Sequence, residues 1–374
     1  MSAATTLPPT PKSPSVGARR KGPKDLPKLP LSAFTPPNTG TSDRFPLAPD
    51  PSTLQPTEII DAHVIAPSGE IESWKSQVGQ KLGGRIRGLV LSLHGVQQDQ
   101  VETVVQQVQS SASSSTIPIL AIAVPFVLES GAPAAPPSYL TNARSSKPAI
   151  VLATTFKESS PAAIEALRWA LQEGFTVNID VQSDLQTESG WDSLEELLTK
   201  ATTKPEDGPG LPGKIILSNL LPPPDSLALP LVKLLTHPLY QTYQAHIGSL
   251  SLFANLFVTF VPPAWGAPTP PTPPPVPAAA EDSKEKPQRV ESKEAREWKK
   301  RIKMYVGPVI EAFGFQRILY GSSPAAPRTA STPASNAGDW FELARESFAE
   351  LGIEQDAIDA VFAENAKSVY GGSS

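Results

Sequence analysis

Eight short runs of β-branched and aliphatic residues, separated by stretches of helical period, constrain this 374-residue chain more than any other feature. The runs fall at 58–64, 87–93, 117–124, 149–155, 175–181, 214–219, 255–261 and 316–320. Helical candidates lie at 70–82, 98–112, 160–173, 190–202, 225–236 and 292–313, with 338–351 and 354–367 after the last run. Runs such as Gly88-Leu89-Val90-Leu91-Ser92-Leu93-His94 are apolar nearly throughout and lack the in-and-out alternation of a half-exposed strand. That pattern belongs to parallel strands covered on both faces. Strand and helix alternating eight times predicts an α/β fold, a (β/α)8 TIM-like barrel with its helices outside; an open doubly wound sheet is the rival arrangement.

The 43 prolines are more than twice the usual share, and they cluster. Residues 1–55, rich in Pro, Ser, Thr and Lys without strand or helix period, read as a disordered tail leading into an extended arm. The barrel then spans 56–372. Two insertions interrupt it, a Pro-rich one at about 262–290 and a Ser/Pro-rich loop at 322–337. Both follow the last two strands, so both are expected at the C-terminal rim, where barrel enzymes place their sites. Residues 268–277 favour polyproline II and could dock an SH3- or WW-type partner, with a solvated spacer as the plainer alternative.

A formal charge of −5 supplies no field that would attract nucleic acid or an anionic membrane, and no apolar run reaches the ~18 residues that span a bilayer. Neither nucleic acid nor membrane is an expected partner. The absence of cysteine excludes disulfides, thiolate ligands and a Cys nucleophile. It also fits a cytoplasmic location, with mitochondrial import the alternative that the basic, acid-free first 24 residues leave open.

Two stretches carry a likeness. The first run reads Ile59-Ile60-Asp61-Ala62-His63-Val64-Ile65, and the last reads Leu319-Tyr320-Gly321-Ser322-Ser323-Pro324. Together they resemble the two ends of an amidohydrolase-related (β/α)8 barrel, where the first strand closes in D-x-H-x-H and the last in G-S-D. The segment Val361-Phe362-Ala363-Glu364-Asn365-Ala366, ending in Tyr370-Gly371, is similar to that family's closing signature. The resemblance covers about residues 58–372. It implies a hydrolase-like barrel acting on a small carboxylated or cyclic substrate, with a divalent metal such as zinc at the strand ends.

Set against that pattern, His63 is the one ligand retained. Ile65 stands for the second histidine, Asp180 or Gln182 for the histidine of the fifth strand, Asn219 for that of the sixth, and Ser323 for the aspartate of the eighth. Zinc requires several N, S or carboxylate donors in fixed geometry, which a lone imidazole does not supply. The metal site therefore reads as largely lost. His63, His94 and Asp61 remain as candidate catalytic residues, and Asp180, Gln182, Asn219 and Ser323 as candidate substrate-binding residues, around a small-molecule ligand in the barrel mouth. Two other functions stay open: a non-catalytic pseudoenzyme that binds a ligand or acts as a scaffold, and a metal-independent lactonase or esterase. His237, placed at a helix end, and His246, placed in a connection before strand seven, read as peripheral, whereas Trp265, flanked by Pro and Gly on the rim side, either caps the pocket or anchors the insertion.

Overall fold

The computed structural model describes residues 54–371 apart from 114, 142–145, 204–209, 221–228, 264, 266, 273–290 and 325–334. The expected tail up to residue 53, most of the Pro-rich insertion with its 273–277 portion, and most of the Ser/Pro loop lie outside the described residues. Eight strands form one parallel sheet in sequence order: β1 (Ile59–Ile65), β2 (Ile86–Ser92), β3 (Ile119–Pro125), β4 (Ala149–Phe156), β5 (Thr176–Val181), β6 (Lys214–Ser218), β7 (Leu256–Phe260) and β8 (Ile318–Tyr320). Each lies within two residues of its expected position at the N-terminal end. The sheet is a nearly closed barrel, as the alternation predicts.

The helices are α1 (Glu72–Leu82), α2 (Val101–Ala112), α3 (Ser138–Thr141), α4 (Pro161–Gln172), α5 (Glu188–Thr202), α6 (Leu231–Leu234), α7 (Pro238–Leu250), α8 (Lys293–Phe313), α9 (Ala337–Ala349), α10 (Gln355–Asp359) and α11 (Asn365–Tyr370), the last two joined by a π-helical segment, Ala360–Glu364. Side-chain caps start several of them. Ser160 accepts from Ala163 N, Ser292 from Ala295 N, and Asn336 from Gly338 N and Asp339 N. Among the described residues no helix is long and apolar enough to cross a membrane.

The edge where β8 meets β1 closes through side chains as much as backbone. Buried Asp61 accepts from Ser322 N (2.9 Å) and His63 N (3.2 Å) on Oδ1, and from Trp74 Nε1 (3.0 Å) on Oδ2. Just beyond β8, Ser323 N donates to His63 O (3.0 Å) and Ile65 N donates to Ser323 Oγ (3.1 Å). Helices α1 and α9 cover this seam, each sending in one indole: Trp74 reaches Asp61 and Ser322 Oγ, and Trp340 donates to Gly321 O (3.0 Å). Gly321 is required by proximity, since a Cβ there would sit 2.7 Å from His63 Cβ.

The opposite end of the barrel is sealed by the end of the chain. Ala363, Ala366, Val369 and Tyr370 pack against the interior side chains Ile60, Val90, Ala121, Val151 and Leu319. Asn365 Nδ2 donates to Phe315 O (2.6 Å) and Ile318 O (2.7 Å), pinning the helix beneath β8. The family-like closing segment is thus a plug.

Helix α7 has no counterpart in the sequence expectations. Pro238 occupies its first turn, His237 caps it by accepting from Leu239 N, and Tyr240, Tyr243, Ile247 and Leu250 form its buried face. His237 therefore begins a helix instead of ending one. His246 is likewise not in a connection: its ring lies parallel to Trp191 with centroids 4.9 Å apart, Nδ1 is 2.6 Å from Glu195 and Nε2 is 3.1 Å from Glu188. It ties α7 to α5.

Candidate functional site

The C-terminal ends of the strands surround a narrow cavity of about 30 Å³, room for about two waters. Its lining combines His63 and His94 with Ser92, Thr154, Asn178, Asp180, Ser218 and Thr259, over a partly apolar wall that includes Ala62, Ile65 and Ile216. His63 enters this space because β1 bulges. Asp61 pairs with Leu89 and Val64 with Leu91, so three steps on β1 match two on β2. The extra residue breaks the two-residue alternation and turns Ala62 and His63 to the same side. Asp61, just before the bulge, faces outward into the seam.

The tautomer of His63 follows from its partner. Nδ1 lies 2.9 Å from Ser323 O, and a carbonyl can only accept, so Nδ1 carries the hydrogen. Nε2 is left with a lone pair, and no described residue bonds it. Burial pushes the imidazole pKa down; the Ser323 carbonyl works against that, and nearby His94 adds to it. A neutral ring with a fixed proton is the outcome. In a pH titration followed by ¹⁵N NMR, His63 should show the Nδ1–H tautomer at neutral pH and become protonated only below the usual imidazole range. An Nε2–H tautomer would contradict the geometry.

The candidate residues are thus not all gathered in one place. His63, His94 and Asp180 share the cavity. Asp61 is sealed in the β8–β1 seam, where burial pushes its carboxyl up to about 6 against the hydrogen bonds from Ser322, His63 and Trp74. It touches the backbone of His63 and does not orient its ring. Gln182 Nε2 donates to Asp180 Oδ2 (2.7 Å) and is outside the cavity lining. Asn219 adopts φ +61° and donates through Nδ2 to Val181 O (2.9 Å), fastening the end of β5. Ser323 stitches β8 to β1 through its hydroxyl and both backbone groups. Trp265 packs against Trp298 of α8 with the ring planes inclined by 55° and centroids 4.6 Å apart, and it is also outside the lining.

Sequence reasoning passed over Ser92, Thr154, Asn178, Ser218 and Thr259. They sit in or at the ends of runs that read as core. A polar residue at an inward position near a strand's C-terminal end was the available signal.

The donor set does not fit zinc. Ile65 presents an alkyl group where a second imidazole would be needed, and the Ser323 hydroxyl is already engaged by Ile65 N. Among the described residues, the one group of three acidic or imidazole ligand atoms close enough to share an ion is Glu291, Glu346 and Glu350. That group lies at the start of α8 and on α9, not in the mouth, and Lys299 Nζ is bonded to all three carboxylates.

No family model matches the sequence, and no curated protein matches it. Solved structures do. A zinc-bound amidohydrolase from Burkholderia multivorans is 11% identical with a TM-score of 0.51, over 84% of this chain and 99% of that one. The HEPES-bound crystal form from the same organism gives a TM-score of 0.52 at 11% identity and the same coverage. At such identity the likeness is one of backbone architecture: this chain has the barrel fold of an amidohydrolase.

Proposed function

We propose that this protein is a divergent, amidohydrolase-related barrel that has given up metal-assisted hydrolysis and keeps its mouth as a site for a small carboxylated or cyclic molecule. The observation that carries this reading is the lining itself. One oriented imidazole, a second at the rim, one acid, one amide and four hydroxyls surround the cavity, while Ile65 occupies the position of a would-be second metal ligand. Such a surface can hydrogen-bond a ligand of a few heavy atoms, and it lacks the converging donors that hold a cation.

The test is direct. Protein purified without chelator should contain well under one equivalent of zinc or manganese. A panel of small carboxylated and cyclic molecules, titrated in EDTA, should shift NMR signals of His63, Thr154 and Thr259. Stoichiometric metal, or a mouth that responds to none of the panel, would overturn the reading.

The fixed tautomer of His63 favours a second reading, metal-independent ester or lactone hydrolysis. An imidazole whose Nδ1–H is held by a carbonyl offers Nε2 as a general base toward water. On this reading His63→Ala should lower lactonase turnover by about 10²-fold or more. Equal rates in wild type and variant would remove it.

A further inference from the structure

Two side chains in the mouth have fixed hydrogen-bonding roles. Asn178 of β5 lines the cavity, and its Oδ1 lies 3.0 Å from the hydroxyl of Tyr370 on α11. Tyr370 is buried, and burial pushes its phenol pKa up, so the hydroxyl keeps its hydrogen. That hydrogen needs an acceptor, and among the described residues Asn178 supplies it. The amide is therefore set with Oδ1 on Tyr370, which leaves Nδ2 as a donor that no described residue engages. In the same space His63 holds its Nδ1 hydrogen on Ser323 O and keeps a lone pair at Nε2. The mouth thus offers one fixed donor and one fixed acceptor. The hydroxyls of Ser92, Thr154, Ser218 and Thr259 rotate to suit either kind of partner, so they do not discriminate.

Size decides what can meet both fixed groups. A cavity of about 30 Å³ has room for about two water-sized groups. A ring or a carboxylate is larger than that, so the tip of a ligand enters and the remainder stays at the rim beside exposed His94. A hydroxyl both donates and accepts through a single heavy atom, and with the carbon that bears it the tip fills two positions. An ether or ketone oxygen only accepts, and an ammonium only donates. A hydroxyl is also uncharged and asks for no counter-ion from the lining.

We infer that the mouth recognises an alcohol, whose hydroxyl accepts from Asn178 Nδ2 and donates to His63 Nε2, and that Tyr370 is the positioning residue that aims the Asn178 amide. This rests on the ligand-binding reading above and names the group of the ligand that enters first. Within that reading the small carboxylated or cyclic molecule is a hydroxy acid or a cyclic alcohol.

Cyclopentanol and cyclopentanone share a ring and an oxygen and differ in the O–H donor, so they make the probe pair. Both would be titrated into the full chain in EDTA at pH 7.5, with NMR observation of the Asn178 side-chain amide and the His63 ring nitrogens. Affinities for fragments of this size are on the order of millimolar. Cyclopentanol should bind at least about fivefold more tightly than cyclopentanone, the worth of one hydrogen bond. The ¹⁵N signal of His63 Nε2 should move with the alcohol and stay in place with the ketone. Asn178→Ala should remove most of the alcohol affinity. Tyr370→Phe should shift the Asn178 amide signals and weaken the alcohol severalfold while the melting transition stays cooperative; a purely structural phenol would leave those signals in place in a folded variant. Equal binding of the two probes, or alcohol binding that ignores Asn178→Ala, would overturn the inference and leave the mouth a ligand site. So would silence from both probes while a carboxylate without a hydroxyl binds. A mouth that answers neither the probes nor any carboxylate would overturn the inference and the ligand-binding reading together.

Discussion

Asp61→Ala is expected to lower the unfolding free energy by about 3–5 kcal/mol at neutral pH, read from the urea midpoint. The carboxylate is fully buried and takes three N–H donors, from His63, Ser322 and Trp74. Truncation leaves at least the two backbone donors without partners in a dry seam, because only Trp74 has a second acceptor, Ser322 Oγ. The loss falls where β8 joins β1, so the seam should open first in hydrogen exchange, with Ser322 and Ser323 amides leading.

The pH dependence gives this prediction a second edge. Burial raises the folded-state pKa of Asp61 from 3.8 to about 6. Between those values the folded protein holds a proton that the unfolded chain has released. The group therefore adds stability that is complete below about pH 4 and is lost as pH rises through about 6. Two pKa units correspond to about 3 kcal/mol. Wild type should gain that increment on acidification and Asp61→Ala should not, so the gap between them widens in acid. The His63 contribution runs the other way, since a depressed imidazole pKa means stability lost as pH falls, but it is present in both proteins. A gap that narrows toward pH 4 would sink the account of Asp61.

Lys299→Met carries the next largest effect, about 3 kcal/mol of destabilisation at pH 7. Lys299 is 5% exposed, with its ammonium 2.6 Å from Glu291 and 3.1 Å from Glu346, and bonded as well to Glu350. Burial alone would lower its pKa, but the three glutamates outweigh that and raise it. Methionine keeps most of the aliphatic stem and deletes the charge, leaving three carboxylates whose ligand atoms lie within 4.8 Å of one another. Lys303, 2.5 Å from Glu350, and Arg345, 3.2 Å from Glu346, relieve part of the repulsion. Burial raises the Glu350 pKa, yet Lys299 and Lys303 hold it below its usual value, so its contribution is present above the unfolded pKa and lost in acid. The difference between wild type and Lys299→Met should then shrink as pH falls, opposite in sign to the Asp61 case. Millimolar calcium should restore part of the variant's stability and leave wild type unmoved. A calcium-insensitive variant would contradict this geometry.

The strands were legible because burial on both faces leaves a one-dimensional trace, a run of Leu, Ile and Val that no exposed segment would carry. Helix α7 was not, because His237-Pro238 reads as a stop signal when proline is taken as a breaker and as a start when it is placed at the first helical turn. The mouth was half legible. His63 and His94 stand out by residue type, whereas Ser218 and Thr259 are ordinary residues whose position alone makes them part of a site. The bulge that aims His63 inward left no trace in the sequence, since it depends on how β1 and β2 share hydrogen bonds.

The plug at the base of the barrel follows all eight described strands in the sequence, with roughly fifty residues between β8 and Tyr370. During synthesis all eight strands leave the ribosome before the segment that covers their lower opening, an interval of a few seconds at usual elongation rates. Until then Ile60, Val90 and Val151 have no lid against water. A nascent chain stalled just after β8 should accordingly be held by chaperones that grip exposed aliphatic surface, and released once α11 has emerged.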